Sequence, residues 1–231
     1  MNHISVTQSL GEIVAAVPAA AEIFKKYKID FCCGGHRPLA EALQEMNLDA
    51  KPVLKKLEDA YEQAQKLTGQ VDYRSMAPAD LVDYIINKHH VFVKRIMPEI
   101  SELATTILRV HGPNHTDLFQ VHKLFHTLKT DLDQHLIKEE GILFPMIKAY
   151  AADPSADLLE KIRDQVGETE DEHVAAGNIL KELRQVTADY QVPADGCTTY
   201  RKTFRKLQEF ESDLFQHIHL ENNILFVQIG L

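Results

Sequence analysis

The chain has 231 residues and a formal net charge of −9, long enough for one or two domains with a real apolar core. Residues 71–231 hold 17 basic against 25 acidic side chains, and no basic stripe exists to neutralise phosphates, which excludes nucleic acid as a partner. No apolar run reaches the ~18–20 residues of a membrane span, so no membrane partner is expected.

The elements expected are all helical. IVAAVPAA in the first 20 residues lacks a preceding Lys or Arg and follows Glu12, so it is not read as a signal segment. Residues 8–28 predict two short helices around Pro18, which is placed as the first helical residue of the second. KYKIDFCCGGHRP follows, with Gly34, Gly35 and Pro38 as breakers. Helices near 38–47 and 51–67 come next. The polar stretch GQVDYRS, starting at Gly69, reads as a linker that closes a small helical domain over 1–70.

From Pro78 the pattern changes to long helices over about 79–110, 116–150, 156–188 and 197–228. The first is expected to bend at Pro98, and Ser155 or Asp153 to cap the third. The turns are GPNH, DPS and VPADG. Four long helices with short turns give an up-down-up-down bundle over 78–231.

One segment of this bundle is nearly written twice. HLIKEEGILFPMI at 135–147 and HIHLENNILFVQI at 217–229 share the frame His-x3-Glu-x2-Ile-Leu-Phe-x2-Ile. His90 lies 45 residues before His135, and His173 lies 44 before His217. Two helical hairpins related by an approximate two-fold would look like this. His and Glu four apart share a helix face. A buried carboxylate costs several kcal/mol unless it is paired or bound to a metal. His90, His135, His173, His217, Glu139 and Glu221 therefore point to one dinuclear metal site, with two imidazoles per ion and two bridging carboxylates. An oxo or hydroxo bridge would add a fifth donor. Mixed imidazole and carboxylate donors suit iron, with manganese as the alternative, and structural zinc is disfavoured because no Cys lies near these motifs.

The other histidines are set aside on position. His122 and His126 fall ~220° and ~180° around the helix from His135 at ~100° per residue, and are expected to be solvated. His111 would lie ~31 Å along the axis from His90, too far for the same cluster. His89 and His219 are off the ligand faces. Glu140 is ~140° from His135, facing solvent or supporting a ligand, and its loss is expected to matter little. Glu170 and His173 match the Glu-x-x-His of ferritin-like bundles once only. Cys32 and Cys33 precede a predicted helix, where thiols can be activated. Redox or thiol-transfer chemistry and simple packing stand level as readings. Three cysteines make a poor disulfide framework and suit the reducing cytosol.

These motifs resemble the iron–sulfur cluster repair di-iron proteins, the repair-of-iron-centres family, over essentially the whole chain. DFCCGG at 30–35 is similar to the hallmark of that family's N-terminal domain. HLIKEEGILFPMIK, the DEH at 171–173 and HIHLENNILF are similar to its hemerythrin-like domain. The resemblance implies two non-haem irons held by the six residues above, with Glu139 and Glu221 bridging. It implies a cytoplasmic stress-response protein that restores clusters damaged by nitric oxide or oxidants. The route would be iron donation, or reduction of nitric oxide at the two irons. Cys32 and Cys33 would take a redox or thiol role. The partners would be damaged iron–sulfur proteins and nitric oxide or O2, with self-association into a homodimer left open. Hemerythrins proper carry a fifth His one turn after the third-helix ligand, where this chain has Gly177. That difference favours chemistry over the alternative, a module that binds or senses O2 or nitric oxide without turnover. The chain departs from the family in reading ILFVQ where Pro often follows the Phe.

Overall fold

The computed structural model describes residues 4–66 and 71–231. Residues 67–70, on which fall the start of the expected linker and the last residue of the helix expected over 51–67, lie outside them. Among the described residues there is no strand, only an isolated bridge between Ser9 and Pro38. None of the described helices is long and apolar enough to cross a membrane.

Contacts group the chain into two compact units, Met1–Leu81 with Ile218–Leu231, and Val82–His217. The units do not follow a break near residue 70, because the end of the last helix belongs with the first residues.

In the first unit, α1 (Leu10–Ala16) begins at a capping box. Ser9 accepts from the Glu12 N–H, and the Glu12 side chain accepts from the Ser9 N–H. Helix α2 (Ala20–Lys26) starts two residues after Pro18, so Pro18 lies in the turn rather than on the helix. Helices α3 (Leu39–Glu45) and α4 (Ala50–Lys66) follow. Leu10, Phe24, Leu39, Val53, Leu57, Leu225 and Phe226 are buried, each large side chain contributing about 1.5–3 kcal/mol.

The bundle helices are α5 (Pro78–Ile85), continued through a π turn (Ile86–His90) into α6 (Val91–His111); α7 (Asp117–Lys138), continued through a π turn (Glu139–Leu143) into α8 (Phe144–Ala152); α9 (Ala156–Val186); and α10 (Thr198–Leu220), continued through a π turn (Glu221–Leu225) into α11 (Phe226–Gln228). Ser155 caps α9 by accepting from the Leu158 N–H. Helix α7 packs on both α6 and α9, and short turns make those neighbours antiparallel. The second unit's core is apolar, with Phe125 and Phe210 edge to face at 5.9 Å. Away from the histidine cluster, a buried carboxylate interrupts it. Glu211 is 1% exposed and receives two bonds from Arg184, at 2.8 and 2.6 Å.

Candidate metal centre

Three of the four long helices change register where the motifs lie. The π turns contain His90, Glu139 and Glu221. Such i→i+5 turns insert one residue and are frequent at functional sites. Pro145, just after the second, cannot donate to the carbonyl four residues back, which favours the wider turn there. The third forms with Val227 in the matching place, so proline is not required for it.

All six residues singled out from the sequence are buried, and five of them come together within the second unit. His90, Glu139 and His217 form one set, and His135, Glu139 and His173 another. The donor atoms of each set lie within 4.8 Å of one another, and Glu221 follows one turn past His217 on the same helix. His90 Nε2 stands 3.1 Å from His217 Nε2, and His135 Nε2 stands 3.3 Å from His173 Nε2. Glu139 Oε2 is 3.4 Å from His90 Nε2 and 3.3 Å from His135 Nε2, between the pairs.

Two outer carboxylates fix the ring orientations. His90 Nδ1 donates to Glu140 at 2.8 Å, and Lys94 bonds both oxygens of Glu140 at 2.7 Å. His135 Nδ1 donates to Glu172 at 2.7 Å, and Lys138 also reaches Glu172. Burial works to raise both carboxyls, but the hydrogen bonds from Lys94 and His90, and from Lys138 and His135, outweigh it and hold them below the ordinary value. With Nδ1 protonated, each Nε2 turns its lone pair inward. Several lone pairs then converge on a small buried volume, an arrangement that a cation relieves. Nitrogen and carboxylate donors without sulfur match iron or manganese. The residues fit a two-metal group.

Sequence reasoning placed Glu140 by a regular helical wheel. Of the two placements that wheel allowed, solvent or support of a ligand, the structure has the second, with Glu140 on His90. Glu172 was missed altogether. It sits in the DEH motif, but adjacency to a histidine carries no facing rule. A cavity of about 140 Å³ opens beside His135 and His173, lined also by Asp131, Gln134 and Glu172. Glu170 is exposed and takes no part. His122 and His126 are not fully solvated. They are half-buried, stacked at 4.0 Å, and bonded to Thr105 and Ser101. His89 is buried, with Nδ1 3.1 Å from Asp213 and its ring stacked on His217. His111 lies outside both sets and pairs with Cys197, Nε2 to Sγ at 3.2 Å.

Residues 81–229 match the hemerythrin HHE cation binding domain, and residues 6–61 match ScdA_N, a domain of unknown function (DUF542). The chain is 34% identical over 224 residues to the probable iron–sulfur cluster repair protein of Haemophilus influenzae, covering 96% of each. It is 33% identical over 219 residues to the iron–sulfur cluster repair protein YtfE of Escherichia coli, covering 95% of this chain and 94% of that one. It is 29% identical over 221 residues to the iron–sulfur cluster repair protein ScdA of Staphylococcus haemolyticus, covering 94% and 95%. The chain belongs to the iron–sulfur cluster repair protein family.

In this family member the DFCCGG loop is built around Asp30 and Asn223. Asp30 Oδ1 accepts from the N–H groups of Cys33 and Gly34 at 3.1 and 3.2 Å, and from the Cys32 thiol at 3.4 Å. Asn223 Nδ2 donates to the Cys32 carbonyl at 2.9 Å. A Cβ on Gly35 would fall 2.0 Å from Asn223 Oδ1, and one on Gly11 would fall 2.4 Å from it, so both glycines clear room for that amide. His219 packs edge to face on Phe31 at 6.0 Å, and burial lowers its pKa to about 4. Helix α3 starts only at Leu39, so neither thiol sits at a helix N-terminus. The Cys33 hydrogen bond, burial and the nearby Cys33 and Asp30 charges push the Cys32 thiol well up.

Proposed function

We propose that the chain repairs damaged iron–sulfur clusters and that His90, His135, His173, His217, Glu139 and Glu221 hold two non-haem irons for that purpose. The facing Nε2 pairs with Glu139 between them carry the reading. Bound iron supplies one-electron chemistry and a ready source of metal near neutral pH. The protein's part is to bind, orient and exclude water. Glu140 and Glu172 hold His90 and His135 in the tautomer whose Nε2 is free to coordinate. Apolar packing, including Phe144 stacked on His90 at 5.5 Å, keeps the donors dry. Iron leaving for a damaged client is the cargo. Cys32 and Cys33 belong to the repair function as a thiol pair, apart from loading of the bundle.

A second reading, reduction of nitric oxide, is favoured by the cavity at His135 and His173, whose volume admits a diatomic molecule. The deciding experiment is reactivation of an iron–sulfur enzyme damaged by nitric oxide, with the damaged enzyme separated from free nitric oxide beforehand. Iron-loaded protein should restore activity, and the Glu139→Ala and His135→Ala proteins should not. Equal restoration by the variants would reject the site. Restoration only while nitric oxide is still present would favour the second reading.

A further inference from the structure

Among the described residues, a further cluster of metal-type donors lies outside the bundle. Asp30, Cys32 and Cys33 each place a ligand atom within 4.8 Å of the other two. The sulfurs of Cys32 and Cys33 are 3.7 Å apart, and Cys32 Sγ is 3.4 Å from Asp30 Oδ1. Those spacings are what one tetrahedral ion requires. With M–S of ~2.3 Å and M–O of ~2.0–2.2 Å, two thiolates on one ion stand ~3.8 Å apart, and a thiolate and a carboxylate oxygen ~3.6 Å apart. Two edges of a tetrahedral face thus already stand at ion-binding separation, and the third lies within 4.8 Å.

We propose that Asp30, Cys32 and Cys33 form a mononuclear site for one borderline divalent cation, of the ferrous or zinc class, with the fourth position open. Two thiolates and a carboxylate select such an ion over magnesium or calcium, which want oxygen donors only. The open position suits exchange rather than permanent structural binding, since structural sites close all four. The backbone is held for the purpose. Asp30 shapes the turn through Cys33 N–H and Gly34 N–H, and Asn223 holds the Cys32 carbonyl, so the donors converge without any ion. Binding balances as M2+ plus two thiols plus one carboxylate giving the bound ion and two protons released to solvent. No oxidant or reductant is needed. The inference goes beyond the repair reading and stands on this loop alone.

The test uses the full chain, kept reduced, with the bundle loaded with ferrous iron and Cys197→Ala removing the exposed thiol. Cobalt(II) is the probe, because thiolate ligation produces sulfur-to-cobalt charge-transfer absorption that nitrogen and oxygen donors do not. One further equivalent should bind with that absorption. Its affinity should rise by up to about 100-fold per pH unit below the thiol pKa values, as two protons are released. Cys33→Ser should abolish the band. Asp30→Asn keeps an acceptor for the turn and should weaken binding at least 10-fold with the melting curve unchanged. No band at millimolar cobalt in folded protein would overturn the proposal. So would a band that survives Cys33→Ser, or an Asp30→Asn protein that titrates like the parent.

Discussion

His90 and His217, from different helices, aim Nε2 at Nε2 across 3.1 Å. His90 uses its other nitrogen on Glu140, so its inward nitrogen carries a lone pair. Bound metal converts this congestion into coordination, and stability should depend on it. A ligand at about 1,000 times its Kd adds about 4 kcal/mol. At about 2–4 °C per kcal/mol for a chain of this size, chelation should lower Tm by about 10 °C. A melting curve indifferent to chelator would contradict this.

The inner and outer carboxylates should separate by degree. Glu139→Ala removes a donor common to both sets and should abolish loading of at least one ion. Glu140→Ala and Glu172→Ala should each weaken metal affinity by about 10- to 100-fold while leaving a fully loadable site, as loss of a hydrogen-bond partner of a ligand histidine does. Isothermal titration with ferrous iron measures both. An unchanged affinity in Glu140→Ala would remove Glu140 as a support of His90.

The Arg184–Glu211 pair is structural. Arg184→Ala would leave a buried carboxylate without its main partner. A fully buried pair costs about 3–5 kcal/mol to break, and the Arg184 side chain is 27% exposed, so about 2–4 kcal/mol is expected. Denaturant unfolding should show that loss with the metal content per folded chain unchanged.

Cys197 should be the reactive thiol. It is exposed, and the Tyr200 backbone N–H and His111 lower its pKa to about 7. A lowered thiol pKa means the thiolate appears at lower pH. Alkylation of Cys197 by iodoacetamide should therefore rise between about pH 6 and 8 and level off above. Cys32, buried with its thiol pushed up, should react far more slowly across that range. A Cys197 profile still rising steeply above pH 8.5 would remove His111 as its partner.

The helices were legible because apolar residues recur at helical spacing, and Pro, Gly and Ser155 mark their ends. The burial of His90, His135, Glu139, His173, His217 and Glu221 was legible because a frame repeated at an offset of 82 exposes positions that composition alone hides. The π turns were not legible. Their wider hydrogen bonding comes from packing, and Val227 in place of a proline shows that no single residue encodes it. Periodicity left Glu140 between solvent and support of a ligand, and its contact with His90 decides for the second. The contact of Asn223 with Cys32 was invisible too, because it joins residues 191 apart and local periodicity does not reach that far.

The number of irons held per chain decides whether the bundle carries a dinuclear centre. Protein loaded anaerobically with ferrous iron and freed of excess should hold two irons per chain in the Cys32→Ser/Cys33→Ser background, where only the bundle site remains. The same background carrying Glu139→Ala should hold one or none. Two irons in both proteins, or no more than one in the first, would contradict a dinuclear centre built on His90, His135, His173, His217, Glu139 and Glu221.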